Sequence, residues 1–246
     1  MKTIVEKIIK LRNPDFFLDE ALNSGALFQL IWVQFWSFFR GLKLIFYFKN
    51  PKGMLLGKRV GFFNTPKMKW GKFLRLGNDV YVSALAKQGV EFGDNVSIGA
   101  FSRIIVSTSF NNIGEKIKIG NNVGIGEFAY LGGSGGLEIG DECIVGQYLS
   151  CHPENHNYED PETSIRQQGV NRKGIRIGKN CWIGSKVTIL DGVEIGDGCI
   201  LAAGSVITKS FPENSIIGGV PAKLLKTRIN DYQTDDFSNL LRRKSV

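Results

Sequence analysis

The chain has 246 residues, 43% of them apolar, a net charge of +8 and only four cysteines. This apolar content is enough for a continuous interior in one elongated domain with extensions. The sequence has no secretory signal peptide and no convincing disulfide framework, which argues against a secreted, disulfide-stapled protein. We therefore predict a cytoplasmic location.

The positive charge is concentrated near the N-terminus. Residues 1–75 contain 14 Lys or Arg against 4 acids, and no acid occurs from residue 21 to residue 78. Nucleic acid is not favoured as a partner, because these bases are scattered among aromatic residues without a known binding motif.

Residues 27–48 within this region predict an amphipathic helix. Gln29, Gln34, Ser37, Arg40 and Lys43 fall within one half of its circumference, and Trp and Phe dominate the rest. Two cations and two glutamines disfavour a transmembrane span. The composition favours an interfacial helix that gives peripheral contact with the inner face of the membrane, apolar face in lipid and cations toward the head groups. A helix that caps a solenoid end or packs on a neighbouring subunit is the alternative.

A six-residue period dominates the rest of the chain. Its clearest members are Ile177, Ile183, Ile189, Ile195, Leu201 and Ile207. Such a period fits neither a helix nor an alternating strand, but it fits a coil in which each short strand sends one aliphatic side chain inward. We predict an all-β solenoid over residues 56–216, after an extension over 1–55 and before a helical tail over 217–246.

The cysteines follow the same register. Cys143, Cys181 and Cys199 each lie four places after an aliphatic member of the series, and Cys151 occupies a series position itself. Free Cys packs as a small hydrophobic residue. We predict four core thiols without a metal or redox role.

The longest late interruption of the period covers residues 152–176. It is polar and contains both histidines of the protein, His152 and His156. Because loops on a rigid scaffold often carry function, we expect one of the two to be catalytic.

The repeats, the histidine loop and the segments WIGS (182–185), AAGSVIT (202–208) and GGVPAK (218–223) resemble the hexapeptide-repeat acyltransferases. Within that family, the chain is most similar to the sugar and xenobiotic O-acetyltransferases. The resemblance covers about residues 76–228. It implies a left-handed parallel β-helix, a homotrimer with active sites between subunits, and acetyl-CoA as cosubstrate.

The resemblance also implies site residues. The family's catalytic histidine falls on His156, with His152 a poorer match, and an imidazole suits the task of taking a proton from an acceptor hydroxyl. Ser185 matches the position whose amide approaches the thioester carbonyl, and Trp182 belongs to the same turn. Further cofactor contacts fall on Ala203, Thr208, Lys223 and Lys226.

Glu127 and Asn155 are the candidates for acceptor binding. Relatives that act on small galactosides carry an asparagine about where Gly126 stands, so the sequence disfavours that acceptor. With the aromatic, basic extension, it favours a sugar of a cell-surface polysaccharide or of its lipid-linked precursor. An antibiotic O-acetyltransferase and a nucleotide-sugar N-acetyltransferase remain alternatives.

No metal is expected. Carbonic anhydrases with similar coils need three histidine ligands, and this chain has two histidines. A scaffold without enzymatic activity is a further alternative, and it predicts no binding of acetyl-CoA.

Overall fold

The computed structural model describes residues 2–10 and 16–228. The N-terminal region contains helix α1 (Lys2–Lys10), helix α2 (Ser24–Gly41) and a 3-10 helix (Leu42–Tyr47). Two further 3-10 turns lie at Thr65–Lys67 and Ile165–Gln167. The remaining elements are short strands.

The strands before the long loop are β1 (Leu55–Leu56), β2 (Gly61–Phe63), β3 (Met68–Trp70), β4 (Arg75–Leu76), β5 (Tyr81–Ser83), β6 (Ala86–Phe92), β7 (Ser97–Ile98), β8 (Arg103–Ile105), β9 (Gly114–Ile119), β10 (Gly124–Ile125), β11 (Tyr130–Gly132), β12 (Leu137–Ile139), β13 (Ile144–Val145) and β14 (Ser150–His152). Those within and after it are β15 (Asn155–His156), β16 (Val170–Asn171), β17 (Ile175–Ile177), β18 (Trp182–Ile183), β19 (Thr188–Leu190), β20 (Glu194–Ile195), β21 (Ile200–Leu201), β22 (Val206–Ile207), β23 (Ser215–Gly219) and β24 (Ala222–Thr227).

Three sheets form the sides of one parallel β-helix. The first sheet has the order β1-β4-β7-β10-β13-β18-β21-β23-β24, the second β2-β5-β8-β11-β14-β19-β22, and the third β20-β17-β12-β9-β6-β3. The chain visits the three sheets in turn, so each coil has three sides. Pairing between coils is parallel, and within these three sheets the last pair, β23 with β24, is antiparallel.

The interior is a column of aliphatic side chains, as the six-residue period predicts. Ile177, Ile183, Ile189, Ile195 and Leu201 are all buried, and so is Ile207. All four cysteines are free and buried, which confirms their assignment to the core. The thiols of Cys143, Cys181 and Cys199 lie on successive coils and hydrogen-bond to backbone carbonyls such as Gly178 O, 3.2 Å from Cys143 Sγ.

Helix α2 covers the open end of the β-helix, and its polar side faces the first coil. Arg40 Nε donates to Leu56 O at 2.8 Å, and Lys43 Nζ donates to Val60 O at 2.6 Å. After the helix, Lys52 Nζ donates to Trp70 O at 2.9 Å. These cations donate to carbonyls of the first coil, which has no preceding coil to supply backbone donors, and unpaired buried carbonyls are costly.

The predicted contact of the helix cations with lipid head groups is therefore wrong. Arg40 and Lys43 face the protein instead of lipid head groups, because the first coil offers acceptors that a helix considered alone does not reveal. The alternative of a cap on the solenoid end describes the observed packing. No helix in the described part of the chain is long and apolar enough to cross a bilayer.

The helical tail predicted from residue 217 is also wrong as far as the structure describes it. Residues 215–219 add β23 to the first sheet, and β24 folds back on it as an antiparallel strand. Ile217 and Ala222 are buried at the end of the core. The two strands thus extend the first sheet and cover the last coil. The rest of the predicted tail, residues 229–246, lies outside the described residues.

Candidate active site

The long loop leaves the coil after β14 and returns at β17. Within it, β15 and β16 form a short antiparallel pair in which Asn155 is opposite Asn171 and His156 is opposite Val170. At the tip, the Gln168 side chain donates to the carbonyls of Asp160 (2.8 Å) and Thr163 (2.7 Å). The loop thus has its own internal structure.

An arginine ties the base of this loop to a second loop. Arg172 Nε lies 2.6 Å from Glu154 Oε2, and Arg172 Nη1 donates to Asn112 Oδ1 at 2.8 Å. Asn112 belongs to the earlier interruption between β8 and β9. Glu154 is therefore committed to the guanidinium, and it does not bond to either imidazole.

His152 is held against the second sheet. Its Nε2 lies 2.7 Å from Ser150 Oγ, and its ring stacks on Tyr130 with the centroids 5.3 Å apart. Burial, and secondarily the charge of Glu154, raise the pKa of the Tyr130 phenol, so this ring stays neutral beside the imidazole. One nitrogen of His152 is already engaged in a hydrogen bond.

His156 occupies a different position, in the exposed hairpin of β15 and β16. Within the described residues its side chain makes no hydrogen bond or ion pair, so both ring nitrogens can meet a ligand. Asn155 beside it is exposed as well. The structure thus gives the two histidines different surroundings: a fixed ring and a free one.

Four residues on successive coils form a row at the corner between the first and second sheets. Glu127, Gln147 and Ser185 each follow a glycine at the end of a first-sheet strand, Ala203 follows Ala202, and we call the four residues the corner row. A Cβ at Gly146 would lie 2.7 Å from the Ser185 nitrogen, so glycine is needed for the coils to approach this closely.

The backbone N–H groups of the corner row have no acceptor among the described residues. Three sequence-predicted residues, Glu127, Ser185 and Ala203, therefore lie together along one edge with free donors. Gln147 between them is a residue that the sequence did not single out. Its Oε1 accepts from Ser185 Oγ at 2.9 Å. Gln147 lies two residues after the aliphatic Val145, as Ser185 does after Ile183, and this shared spacing could have revealed it.

Stacked aromatic rings flank the corner row. Phe128 and Tyr148 directly follow Glu127 and Gln147, and Phe101 holds the same place on the preceding coil. The Phe128 ring stacks on Phe101 with the centroids 5.0 Å apart and on Tyr148 with the centroids 4.9 Å apart. All three are half-exposed and have a left-handed backbone. They were also missed from the sequence, although each lies three residues after a buried member of the period.

Trp182 lies on the outer face of the first sheet, not in the corner itself. It is 58% exposed, and it pairs in register with Ile144, which is 68% exposed, and with Ile200. The same register on the first sheet continues from Ile200 to Ile216. Because this face is apolar and open, Trp182 belongs to a surface that a second molecule could cover.

The remaining predicted cofactor residues lie near the last coils. Thr208 is exposed directly after β22, and Lys223 and Lys226 are exposed on β24. The two lysines are opposite Gly218 and Ile216 across the terminal strand pair. Both lysines fall in the predicted helical tail, but a strand presents them at the end of the first sheet.

A groove of about 280 Å³ on the third sheet does not include any of these residues. Its charges are largely paired with one another: Glu138 contacts Lys116 and lies 3.9 Å from Arg176. The hydrogen bond from Lys116 is the main cause of the lowered pKa of Glu138. Across the described residues, no group of three His, Cys, Asp or Glu could hold a metal ion.

Comparisons with known proteins agree with this architecture. The family model described as bacterial transferase hexapeptide (six repeats) matches residues 174–209. The chain is 34% identical over 151 residues to SACOL2570 of Staphylococcus aureus (strain COL), which is named as an acetyltransferase; the match covers 59% of this chain and 69% of that protein.

Two further relatives extend the comparison. Rv3034c of Mycobacterium tuberculosis, also named as an acetyltransferase, is 29% identical over 204 residues, which are 80% of this chain and 57% of that protein. The chain thus spans little more than half the length of this relative. WbbJ of Escherichia coli, named as a lipopolysaccharide biosynthesis O-acetyl transferase, is 28% identical over 150 residues, covering 56% of this chain and 71% of that protein. The predicted family and fold are confirmed: the chain belongs to the hexapeptide-repeat acyltransferases and has their left-handed parallel β-helix.

Proposed function

We propose that the protein transfers an acetyl group from acetyl-CoA to a sugar hydroxyl of a cell-surface polysaccharide or of its lipid-linked precursor. One observation carries this proposal. The corner row presents unpaired backbone N–H groups on successive coils, while a free imidazole, that of His156, projects on a loop from the other edge of the second sheet. A row of amide donors fits an extended cosubstrate with amide carbonyls of its own.

The residues can perform direct acyl transfer. Acetyl-CoA supplies the thioester carbonyl carbon. The imidazole of His156 takes the proton from the acceptor hydroxyl as its oxygen attacks this carbon, and the N–H of Ser185 donates to the oxygen that gains negative charge. When the carbon–sulfur bond breaks, the imidazolium returns its proton to the leaving thiolate. No side chain of the enzyme is acylated, so ping-pong kinetics would contradict the mechanism.

His156 is preferred to His152 as the base for a structural reason. A general base needs a ring nitrogen that can reach the acceptor hydroxyl, and both nitrogens of His156 are free. One nitrogen of His152 is engaged by Ser150, and its ring is stacked on Tyr130. In this proposal, His152 supports the start of the loop and Asn155 and Glu127 contact the acceptor.

A homotrimer would complete the site. The corner row and the histidine loop lie at opposite ends of the strands of the second sheet, and a three-residue strand between them is itself about 10 Å long. A base from one subunit acting beside the corner row of its neighbour would resolve this separation. The apolar row of Ile144, Trp182, Ile200 and Ile216 on the first sheet supports such an interface.

The third sheet does not suit that interface. Its outward residues alternate in charge from coil to coil: Lys69, Glu91, Lys118, Glu138, Arg176 and Glu194. Cross-strand pairs of opposite charge stabilise a sheet face in water. We therefore assign the first sheet to the subunit contact and the third sheet to solvent.

The choice of a sugar hydroxyl as the acceptor rests on two points. The named role of the relative WbbJ in lipopolysaccharide biosynthesis is O-acetyl transfer. The aromatic surface on α2, described below, would bring the enzyme to membrane-bound acceptors. An antibiotic and a nucleotide-linked amino sugar are the competing acceptors. If the enzyme acetylated one of them, that compound would replace the proposed acceptor.

Two variants test the base. His156→Ala should lower turnover by roughly several hundredfold and leave acetyl-CoA binding nearly intact, since a general base contributes about 100- to 10,000-fold. His152→Ala is the matched control and should lose much less. The readouts are steady-state acetyl transfer and calorimetric titration of CoA. Near-normal turnover of His156→Ala, or a larger loss in His152→Ala, would refute the assignment.

The acceptor is tested in cells. Mass spectrometry should show that surface polysaccharide loses an acetyl increment when the gene is deleted. An unchanged polysaccharide would remove this acceptor while leaving the catalytic test intact.

A further inference from the structure

Helix α2 carries a continuous aromatic surface on the side turned away from the β-helix. Phe28, Trp32, Phe35, Trp36 and Phe39 define it, and we call it the aromatic face. Trp32 is 54% exposed and Trp36 45% exposed, and their rings are in edge contact at 5.7 Å. From residue 28 to residue 39, Gln29 is the one polar residue with an exposed side chain. The 3-10 helix continues the surface with Phe46, and Phe48 follows it at 99% exposure.

This face is free of charge because the helix uses its polar groups elsewhere. Within the helix, the buried residues form a narrow stripe of Leu27, Ser37 and Gly41. On that side, Arg40 and, in the following 3-10 helix, Lys43 donate to carbonyls of the first coil, and Ser37 Oγ accepts from Arg40 Nη2 at 3.0 Å. An apolar phase could therefore receive the aromatic face without desolvating any cation of the helix.

The surroundings of the aromatic face are basic. The first coil has a lysine at each of its three corners: Lys58 between the first and second sheets, Lys67 between the second and third, and Lys72 between the third and first. All three are exposed. No acid occurs from residue 21 to residue 78, and the nearest acids lie in the second coil, where Asp79 pairs with Arg59 and Asp94 accepts from the Lys72 backbone nitrogen.

We propose that the aromatic face docks on the surface of an anionic lipid bilayer, with α2 lying in the interface and the corner lysines of the first coil near the head groups. Trp-rich apolar surfaces partition to the bilayer interface, and adjacent lysines are attracted by anionic lipids. The described helices are too short or too polar to span, so the contact is peripheral.

A second copy of the chain is the less suitable occupant. Pairing two such faces would bring two rings of lysines together without an acid from either coil between them, whereas an anionic surface complements the charge. This inference does not depend on the proposed acyl transfer, because it concerns the opposite end of the molecule from the last coils.

Vesicle flotation of the full-length protein tests the proposal. Vesicles of phosphatidylcholine with about a quarter phosphatidylglycerol should carry the protein upward, and vesicles of phosphatidylcholine alone should carry several-fold less. The double variant Trp32→Ser/Trp36→Ser should lose most of the binding, about tenfold. Raising the salt concentration should weaken binding of the native protein, because exposed charges are screened.

Phe63→Ser/Phe110→Ser is the matched control. These two exposed rings are also in edge contact, at 6.5 Å, but lie on the side of the β-helix. This variant should float like the native protein. Thermal melting of both double variants should show that the fold is retained, since only exposed side chains are changed.

Three results would overturn the proposal. The first is a native protein that floats with neither vesicle. The second is equal loss of binding in both double variants, or in neither. The third is a change in the molar mass of the protein, measured by light scattering, in Trp32→Ser/Trp36→Ser while its flotation is unchanged. That result would assign the face to a second copy of the chain.

Discussion

The packing of α2 on the first coil depends on a glycine, and Gly41→Ala tests it. An alanine Cβ at this position would lie 2.3 Å from Met54 O, a backbone atom that cannot rotate away. An ordinary van der Waals contact begins at 3.4 Å, so the helix would have to move outward by about 1 Å. The backbone at Gly41 is helical (φ −62°), so alanine meets no conformational strain there.

The expected cost follows from two opposing effects. Alanine gains about 1 kcal/mol over glycine in helix propensity. Overpacking costs about 1–3 kcal/mol, and a 1 Å shift would also break the 2.8 Å bond from Arg40 Nε to Leu56 O, worth about 1–2 kcal/mol. The balance is a destabilisation of about 2 kcal/mol, confined to the cap.

Gly25→Ala in the same helix is the matched control. Its Cβ would meet only Asn23 Oδ1, at an ordinary 3.4 Å, so this change should be neutral or slightly stabilising. Hydrogen exchange measured by mass spectrometry on peptides from residues 28–41 is the assay, because it reports local opening. For about 2 kcal/mol, Gly41→Ala should exchange roughly 30-fold faster. Equal or slower exchange than the native protein would refute the docked geometry.

Further predictions concern the loop, the corner row and the core. Arg172→Gln should leave Glu154 without its partner and loosen the loop, which should lower the rate of acetyl transfer about tenfold and increase proteolysis within residues 153–174. Gln147→Ala should remove the acceptor of the Ser185 hydroxyl and raise the KM for acetyl-CoA several-fold, with kcat changed little. Burial raises the pKa of the Cys151 thiol from 9.0 to about 12, so the folded protein keeps a proton that the unfolded chain loses above pH 9. The free energy of unfolding should therefore fall as the pH rises through this range, and this thiol should make it about 1.4 kcal/mol lower at pH 10 than at pH 8. Denaturant titrations of Cys151→Ala should not show this contribution.

Each of these predictions has a result that contradicts it. Unchanged proteolysis of Arg172→Gln would mean that the ion pair does not anchor the loop. A fall in kcat without a change in KM for Gln147→Ala would place the residue in catalysis and not in cosubstrate binding. Parallel pH profiles of the native protein and Cys151→Ala would show that the thiol does not cause the alkaline loss.

The six-residue period was sufficient to predict the interior, because inward positions of a coil repeat whatever the loops do. Ile183 and Ile189 are buried for that reason, and Cys143 and Cys181 follow. The C-terminal strand pair was missed because GGVPAK breaks the period. Once the coil ends, the exposed edge of the first sheet determines the conformation, and a second strand covers that edge better than a helix would.

The amphipathic pattern of residues 27–48 was recognised, but its cations contact the first coil and not lipid head groups. Helical periodicity separates a polar side from an apolar side, and it does not say which side meets the protein. In most surface helices the apolar side packs on the core. Here the first coil presents carbonyls such as Leu56 O and Val60 O, so Arg40 and Lys43 contact it and the aromatic side faces out.

Several residues of the candidate site could be named from the sequence, but their arrangement could not, and the reason is geometric. The corner row repeats with the coils, so Ser185 and Ala203 could be identified from their motifs. His156 lies on a hairpin that leaves the coil at the other edge of the second sheet, and its position is determined by the contacts of Arg172 with Glu154 and Asn112. No period encodes such contacts between loops. If the apolar first sheet joins subunits, the partner of each corner row is a histidine loop of another chain, and the site is a property of the assembly.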